Sequence, residues 1–104
     1  MEADHLVQIL LPVNDNAGQP FPSSLFDATR RELTERFGGL TAYTRAPARG
    51  LWDDGREVEK DDIVVYEVMT DALEPAWWSQ YRATLEQRFG QDELMIRALE
   101  TQRL

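Results

Sequence analysis

Residues 6–13 form an apolar run broken only by Gln8, and the run stops at Pro12 and Asn14-Asp15-Asn16. An apolar run of that length bounded by turn residues predicts a buried strand. Residues 14–22 read as a loop punctuated by Gly18, Pro20 and Pro22. Beyond it, Phe26, Leu33 and Phe37 recur at helical spacing, with Arg30, Arg31, Glu32 and Glu35 elsewhere on the same helix. Ser24 followed by Asp27 predicts a variant capping box at its start, and Gly38-Gly39 a left-handed stop. Residues 40–46 predict a second strand. The connection over residues 47–61 centres on a tight turn at Asp53-Asp54-Gly55, with Leu51-Trp52 and Val58 placed for a small hairpin or an irregular flap. Residues 63–69 are rich in β-branched side chains and predict a third strand. Asp71, Glu74 and Pro75 mark a second helix start; Trp78, Tyr81, Leu85 and Phe89 form its apolar stripe, and Gly90 ends it. Residues 94–99 predict the last strand.

One pattern occurs twice. Arg30-x-x-Leu33-x-x-Arg36-Phe37-Gly38 returns 52 residues later as Arg82-x-x-Leu85-x-x-Arg88-Phe89-Gly90, and Arg45-Ala46 and Arg97-Ala98 follow seven positions past each glycine. A duplicated strand–helix–strand unit is the expected plan, giving β-α-β-β-α-β. With right-handed crossovers this makes an α+β fold: a four-stranded antiparallel sheet in the order 4-1-3-2 with both helices on one face. The chain looks like the ferredoxin-like superfold along nearly all of its length, and one domain over residues 1–104 is expected. Gly50-Leu51-Trp52 and Gly55-Arg56-Glu57 are also similar to small uncharacterised bacterial domains of this shape.

Composition narrows the partners. A formal charge of −8 repels phosphate, so neither nucleic acid nor an anionic membrane is an expected partner. Much of that charge is local: Asp53, Asp54, Glu57, Glu59, Asp61 and Asp62 face only Arg56 and Lys60 in one stretch. No run nears the roughly 18 apolar residues of a membrane span. Glu2 and Asp4 stand where a signal peptide would carry bases, so the expected location is cytoplasmic. Zero cysteines remove disulfides, thiolate sites and a cysteine nucleophile. His5, the single histidine, cannot build a multi-histidine metal site and is expected at the surface or a strand end. The calcium-loop register fails at both acidic turns, because Gly55 puts Gly50, and Gly18 puts Val13, at the first ligand position. No phosphate loop, dinucleotide fingerprint, serine elbow or zinc signature occurs, so neither metal nor cofactor is expected.

Strand alternation assigns the faces. Val7, Ile9, Leu11, Val64, Tyr66, Val68, Ala42, Thr44, Ala46, Leu94, Ile96 and Ala98 are expected beneath the helices. The other face then carries Leu6, Gln8, Leu10, Tyr43, Arg45, Ile63, Val65, Glu67, Met69, Met95 and Arg97. RNA-recognition domains share this strand order but show aromatics on strands one and three of that face. None stands there. An uncovered face so rich in apolar side chains is expected to seek a second copy, giving a homodimer.

The polar positions of that face are the candidate ligand-binding residues: Gln8, Tyr43, Arg45, Glu67 and Arg97, with Trp52 in the connection as a lid. Two arginines and a glutamate suit a small acidic or polar ligand; the structural alternative is an ion pair buried in a dimer seam. In element order and size the chain resembles the dimeric α/β-barrel superfamily. That resemblance implies sheet-to-sheet pairing and, in some members, a pocket for small organic molecules. The expectation is a self-associating domain with a small-ligand site. Its rival is a cofactor-free enzyme of oxygenase or isomerase type, with Glu67 as base.

Overall fold

A computed structural model describes residues 4–45, 49–51, 57–59 and 63–104, without the side chains of residues 45, 49–51 and 57–59. Its elements run β1 (Asp4–Pro12), α1 (Ser23–Phe37), β2 (Thr41–Arg45), β3 (Arg49–Leu51), β4 (Glu57–Glu59), β5 (Ile63–Thr70), α2 (Pro75–Arg88) and β6 (Met95–Thr101). The main sheet has the order β2-β5-β1-β6, which is the expected 4-1-3-2 arrangement read from the other edge. Every neighbouring pair in it is antiparallel. The fold is ferredoxin-like. β3 and β4 make a separate two-stranded hairpin within the long connection. Trp52 and most of the acidic stretch at residues 53–62 lie outside the described residues.

The strand period decides the core. Val7, Ile9 and Leu11 of β1 and Tyr66 and Val68 of β5 are sealed beneath the helices, where they meet Leu33, Trp78, Tyr81, Leu85, Phe89 and Leu94. On the outer strands the same parity gives less cover. Ala42, Thr44 and Ala98 face the helix side as expected but remain exposed, because both helices sit over the central strands. Two aromatic groups fill the layer between helices and sheet. Phe21, Phe26 and Phe89 meet edge-on or tilted, and Phe37 stacks on Trp78 with ring centres 5.3 Å apart. Trp77, half-buried, stacks on Tyr81 at 4.8 Å and lies under the Arg36 guanidinium at 4.1 Å.

The start of α2 at Pro75 is as expected, but the capping of α1 differs from expectation. Pro22, not Ser24, is the N-cap of α1, and no side chain caps it. Asp27 turns instead to Arg30 on the next turn, an ion pair that replaces the capping box. Glu74 is the N-cap of α2 and Pro75 its first residue; the Glu74 carboxylate accepts a 2.7 Å bond from Arg36 rather than closing on its own helix. At the other end, Gly38 adopts φ 78° and its N–H bonds the Thr34 carbonyl, a left-handed stop that a β-carbon disfavours.

A polar clamp ties the helices together. Arg88 of α2 donates two 2.8 Å bonds to the two Glu32 oxygens and a third of 2.8 Å to Thr29, while the Tyr81 hydroxyl donates to Glu32 Oε1 at 2.9 Å. The paired guanidinium holds the Glu32 carboxyl below the usual glutamate range, against a smaller opposing effect of burial. Burial first, and then the Glu32 carboxylate, push the Tyr81 phenol well above the ordinary tyrosine range. A carboxyl whose folded pKa is depressed contributes stability above its unfolded value and loses it as pH falls through the folded one. The glutamine variant Glu32→Gln lacks that contribution at every pH. Urea midpoints of the wild type and Glu32→Gln should therefore differ at neutral pH and converge on acidification below about pH 4.5.

Candidate functional site

The register of the sheet builds a polar row on the face that carries no helix. Gln8 sits opposite Glu67 on one side and opposite Arg97 on the other, and Glu67 sits opposite Thr41. Three of the expected site residues thus share one line across three strands. The row is hydrogen-bonded along its length. Gln8 donates through Nε2 to Glu67 Oε2 at 2.7 Å, and its amide oxygen accepts from Arg97 Nε at 2.7 Å. Tyr43, one row further along β2 opposite Val65, reaches diagonally to donate to the same Glu67 oxygen at 2.9 Å.

Each side chain is placed by a different local cause. Gln8 interrupts the apolar run of β1 at an even-numbered position, so the strand period turns it away from the core while Val7 and Ile9 turn inward. Glu67 is the corresponding break in β5, between the buried Tyr66 and Val68. Arg97 stands on β6, a strand at the sheet edge, and is exposed. Arg45 takes the register position opposite Ile63, two residues beyond Tyr43 on β2, so its backbone belongs to the same face. Trp52, the expected lid, is outside the described residues.

Glu67 and Arg97 do not pair directly. Gln8 stands between Glu67 and Arg97 and bridges them through its two amide atoms. This matters chemically. Two donors, Gln8 and Tyr43, converge on Glu67 Oε2 and fix the orientation of its carboxyl group. Arg97 is anchored through Nε, and among the described residues its Nη groups have no acidic partner. An anion and a cation are thus set at the two ends of one amide bridge, on one surface. Such a pair can hold a ligand that itself carries both charges.

Around the row the face is apolar. Val65 is buried beside Leu10 and Tyr43, while Met69, Met95 and Leu99 are 40%, 56% and 47% exposed. Leu99, placed opposite Leu6, extends the apolar strip, and β6 itself runs on to Thr101, past the end of the strand expected at residues 94–99. Elsewhere, His5 lies half-buried near the start of β1, with a buried Nδ1 that has no hydrogen-bond partner. Asp4 is buried beside it and pairs with Arg103 at 2.7 Å. Sequence reasoning missed that pair and the Glu32–Arg88–Tyr81 clamp, since partners so far apart in the chain leave no local spacing to read. Among the described residues no three metal-binding side chains of the His, Cys, Asp and Glu types gather, and no helix is long and apolar enough to cross a membrane.

A ferredoxin-like α+β domain with a hydrogen-bonded polar row on an otherwise apolar sheet face is the class of molecule these features define. No protein-family model matches the chain, and no curated protein matches it significantly. Solved structures do share its fold. A phage SAM lyase in complex with S-methyl-5'-thioadenosine superposes with a TM-score of 0.63 at 11% identity, over 96% of this chain and 83% of that one. A phage SAM lyase in the apo state gives a TM-score of 0.56 at 12% identity, over 94% and 81%. At such identities the likeness shows a shared architecture.

The bridging role of Gln8 is directly measurable. In Gln8→Leu the Arg97 Nε–H loses its acceptor, so its proton resonance, protected in the wild type, should exchange rapidly with water. Tyr43→Phe should leave that resonance unchanged, because Tyr43 meets Glu67 and not Arg97.

Proposed function

We propose that the chain self-associates through its open sheet face and binds a small polar molecule at the Tyr43–Glu67–Gln8–Arg97 row where the copies meet. The observation that carries this reading is the Glu67 carboxyl group, oriented by two donors, and the Arg97 guanidinium, with no acidic partner among the described residues, held either side of one amide. A ligand bearing both a cationic and an anionic group complements it. Association follows from the apolar remainder of the face: covering Met69, Met95 and Leu99 is favourable at roughly 25 cal/mol per Å² of apolar area. It also removes water from the row, where each charge then acts more strongly. Sheet-to-sheet pairing of this kind is what the resemblance to dimeric α/β-barrel proteins implies.

A second reading makes the same row an active site, and the likeness to phage SAM lyase favours it and names a substrate to test. S-adenosylmethionine carries a sulfonium cation and a zwitterionic amino-acid end. Glu67, oriented by Tyr43, is the residue for the cation or for accepting a proton, and Arg97 the residue for the carboxylate. Arg45, whose backbone register falls on this face, and Trp52, as a lid, are the further residues proposed for the site. Breakage of a carbon–sulfur bond is a more specific expectation than the oxygenase or isomerase chemistry drawn from element order.

Sedimentation of the purified chain should show a dimer or larger assembly, and the double variant Met95→Glu, Leu99→Glu should run as a monomer. Incubation with S-adenosylmethionine, followed by chromatography, should release S-methyl-5'-thioadenosine, and Glu67→Gln should slow this roughly 100-fold. Calorimetric binding without product supports the binder. A monomeric wild type that neither binds nor converts the compound removes both readings.

A further inference from the structure

On the helix side of the sheet, two grooves run where the outer strands pass beyond the cover of the helices. One lies between α1 and β2 and holds about 480 Å³; the other lies between α2 and β6 and holds about 250 Å³. They are lined by counterpart residues. Ser23, Phe26, Asp27, Arg30 and Thr44 line the first, and Pro75, Trp78, Ser79, Arg82 and Ile96, each 52 positions later, line the second. The same frame therefore sets an arginine over an apolar floor at both edges of the molecule.

The two arginines are in different states. Arg30 is already neutralised: it pairs with Asp27 and donates from Nη1 to the Tyr66 hydroxyl at 3.1 Å. At the second edge, Ser79 replaces Asp27, and by strand register the apolar Leu11 holds the position that Tyr66 has in the first. Arg82 has lost both partners. Its nearest acid is Glu86, whose Oε2 lies 3.9 Å from Arg82 Nε and is engaged at 3.0 Å by the Leu94 N–H. Glu93 lines the adjoining groove on the far side of Arg82 and makes no ion pair with it. Glu86 thus makes only a long ion pair with this guanidinium, and the hydrogen-bonding faces of its Nη groups are left for a ligand.

We infer that the α2/β6 groove is a binding site for a small monoanion with a flat apolar body, such as an arylalkanoic acid. Trp78, Val7, Ile96 and Ala98 hold the body, and Arg82, with the Ser79 hydroxyl, receives the carboxylate at the rim. Cavities of a few hundred Å³ take ligands of this size, and a charge-assisted guanidinium–carboxylate bond is the strong contact available there. The α1/β2 groove, though larger, does not qualify, because Asp27 already occupies its cation. This site rests on the helix side of the sheet rather than on the open-face reading; of its lining residues Arg97 is shared with the open-face row.

The test uses 3-phenylpropionate as probe, its neutral amide as control, and methyl resonances as readout. The acid should shift the Val7 and Ile96 methyl signals saturably. Arg82→Gln should weaken binding roughly tenfold, Ala98→Leu should weaken it by filling the groove, and Arg30→Gln should match the wild type. Backbone amide spectra of each variant establish that it is folded. The inference is overturned if the amide binds as well as the acid, if Arg30→Gln and Arg82→Gln weaken binding equally, or if the Val7 and Ile96 methyls do not move up to the solubility limit. Its failure leaves the sedimentation and S-adenosylmethionine results untouched, and the reverse also holds.

Discussion

The two-residue period of β1 is the constraint from which the rest of the molecule follows. Val7, Ile9 and Leu11 are sealed under the helices, while Leu6, Gln8 and Leu10 belong to the face that carries none. β1 is paired on both edges, so its register sets that of β5 and β6 at once. A slip of one residue against either neighbour would turn a core strand's side chains outward and bring Gln8 into the apolar interior. The hydrophobic side of β1 thereby fixes the position of its polar side. Gln8 meets Glu67 and Arg97 because Ile9 must meet Tyr66 and Ile96.

Polar groups are consequently sorted by where the fold leaves room for them. Between the helices, Glu32, Arg88, Thr29 and Tyr81 satisfy one another so fully that the cluster reads as a structural tie. On the open face the arrangement is looser: the Gln8 amide bonds both neighbours, and among the described residues the guanidinium of Arg97 is engaged only at Nε. At the two outer edges the same helical position carries Arg30, which is paired, and Arg82, whose nearest acid is 3.9 Å away. Charged groups whose partners are incomplete are the places where a ligand gains most, because there it need not displace a bond already made.

Much of the fold was legible from local pattern. The order of strands and helices, the buried stripe of Trp78, Tyr81, Leu85 and Phe89, and the left-handed turn at Gly38 all follow from spacing within a few residues. The start of α2 at Pro75 was legible too; what the helix-start carboxylates bond to was not. Ser24 and Asp27 have the right spacing for a cap, but Arg30 one turn on competes for the carboxylate, and Arg36 from α1 competes for Glu74 in the same way. The membership of the open-face row was legible too, since parity alone assigns Gln8, Tyr43, Glu67 and Arg97 to one side. Its bonding was not, because three residues with unlike charges can pair in several ways at similar cost.

By itself, then, the chain's alternation of apolar and polar residues determined the β-α-β-β-α-β order, which face each strand residue takes, and that the helix-free face would carry a carboxylate and a guanidinium. Only the tertiary structure decided that Gln8 comes between them and that Tyr43 reaches across a row to Glu67. It alone decided that Asp27 claims Arg30 while Glu86 turns to Leu94 rather than to Arg82. The physical reason is range. Burial pattern is a property of residues a few positions apart, whereas hydrogen-bond choice depends on distances of a few tenths of an ångström between strands joined through the whole chain.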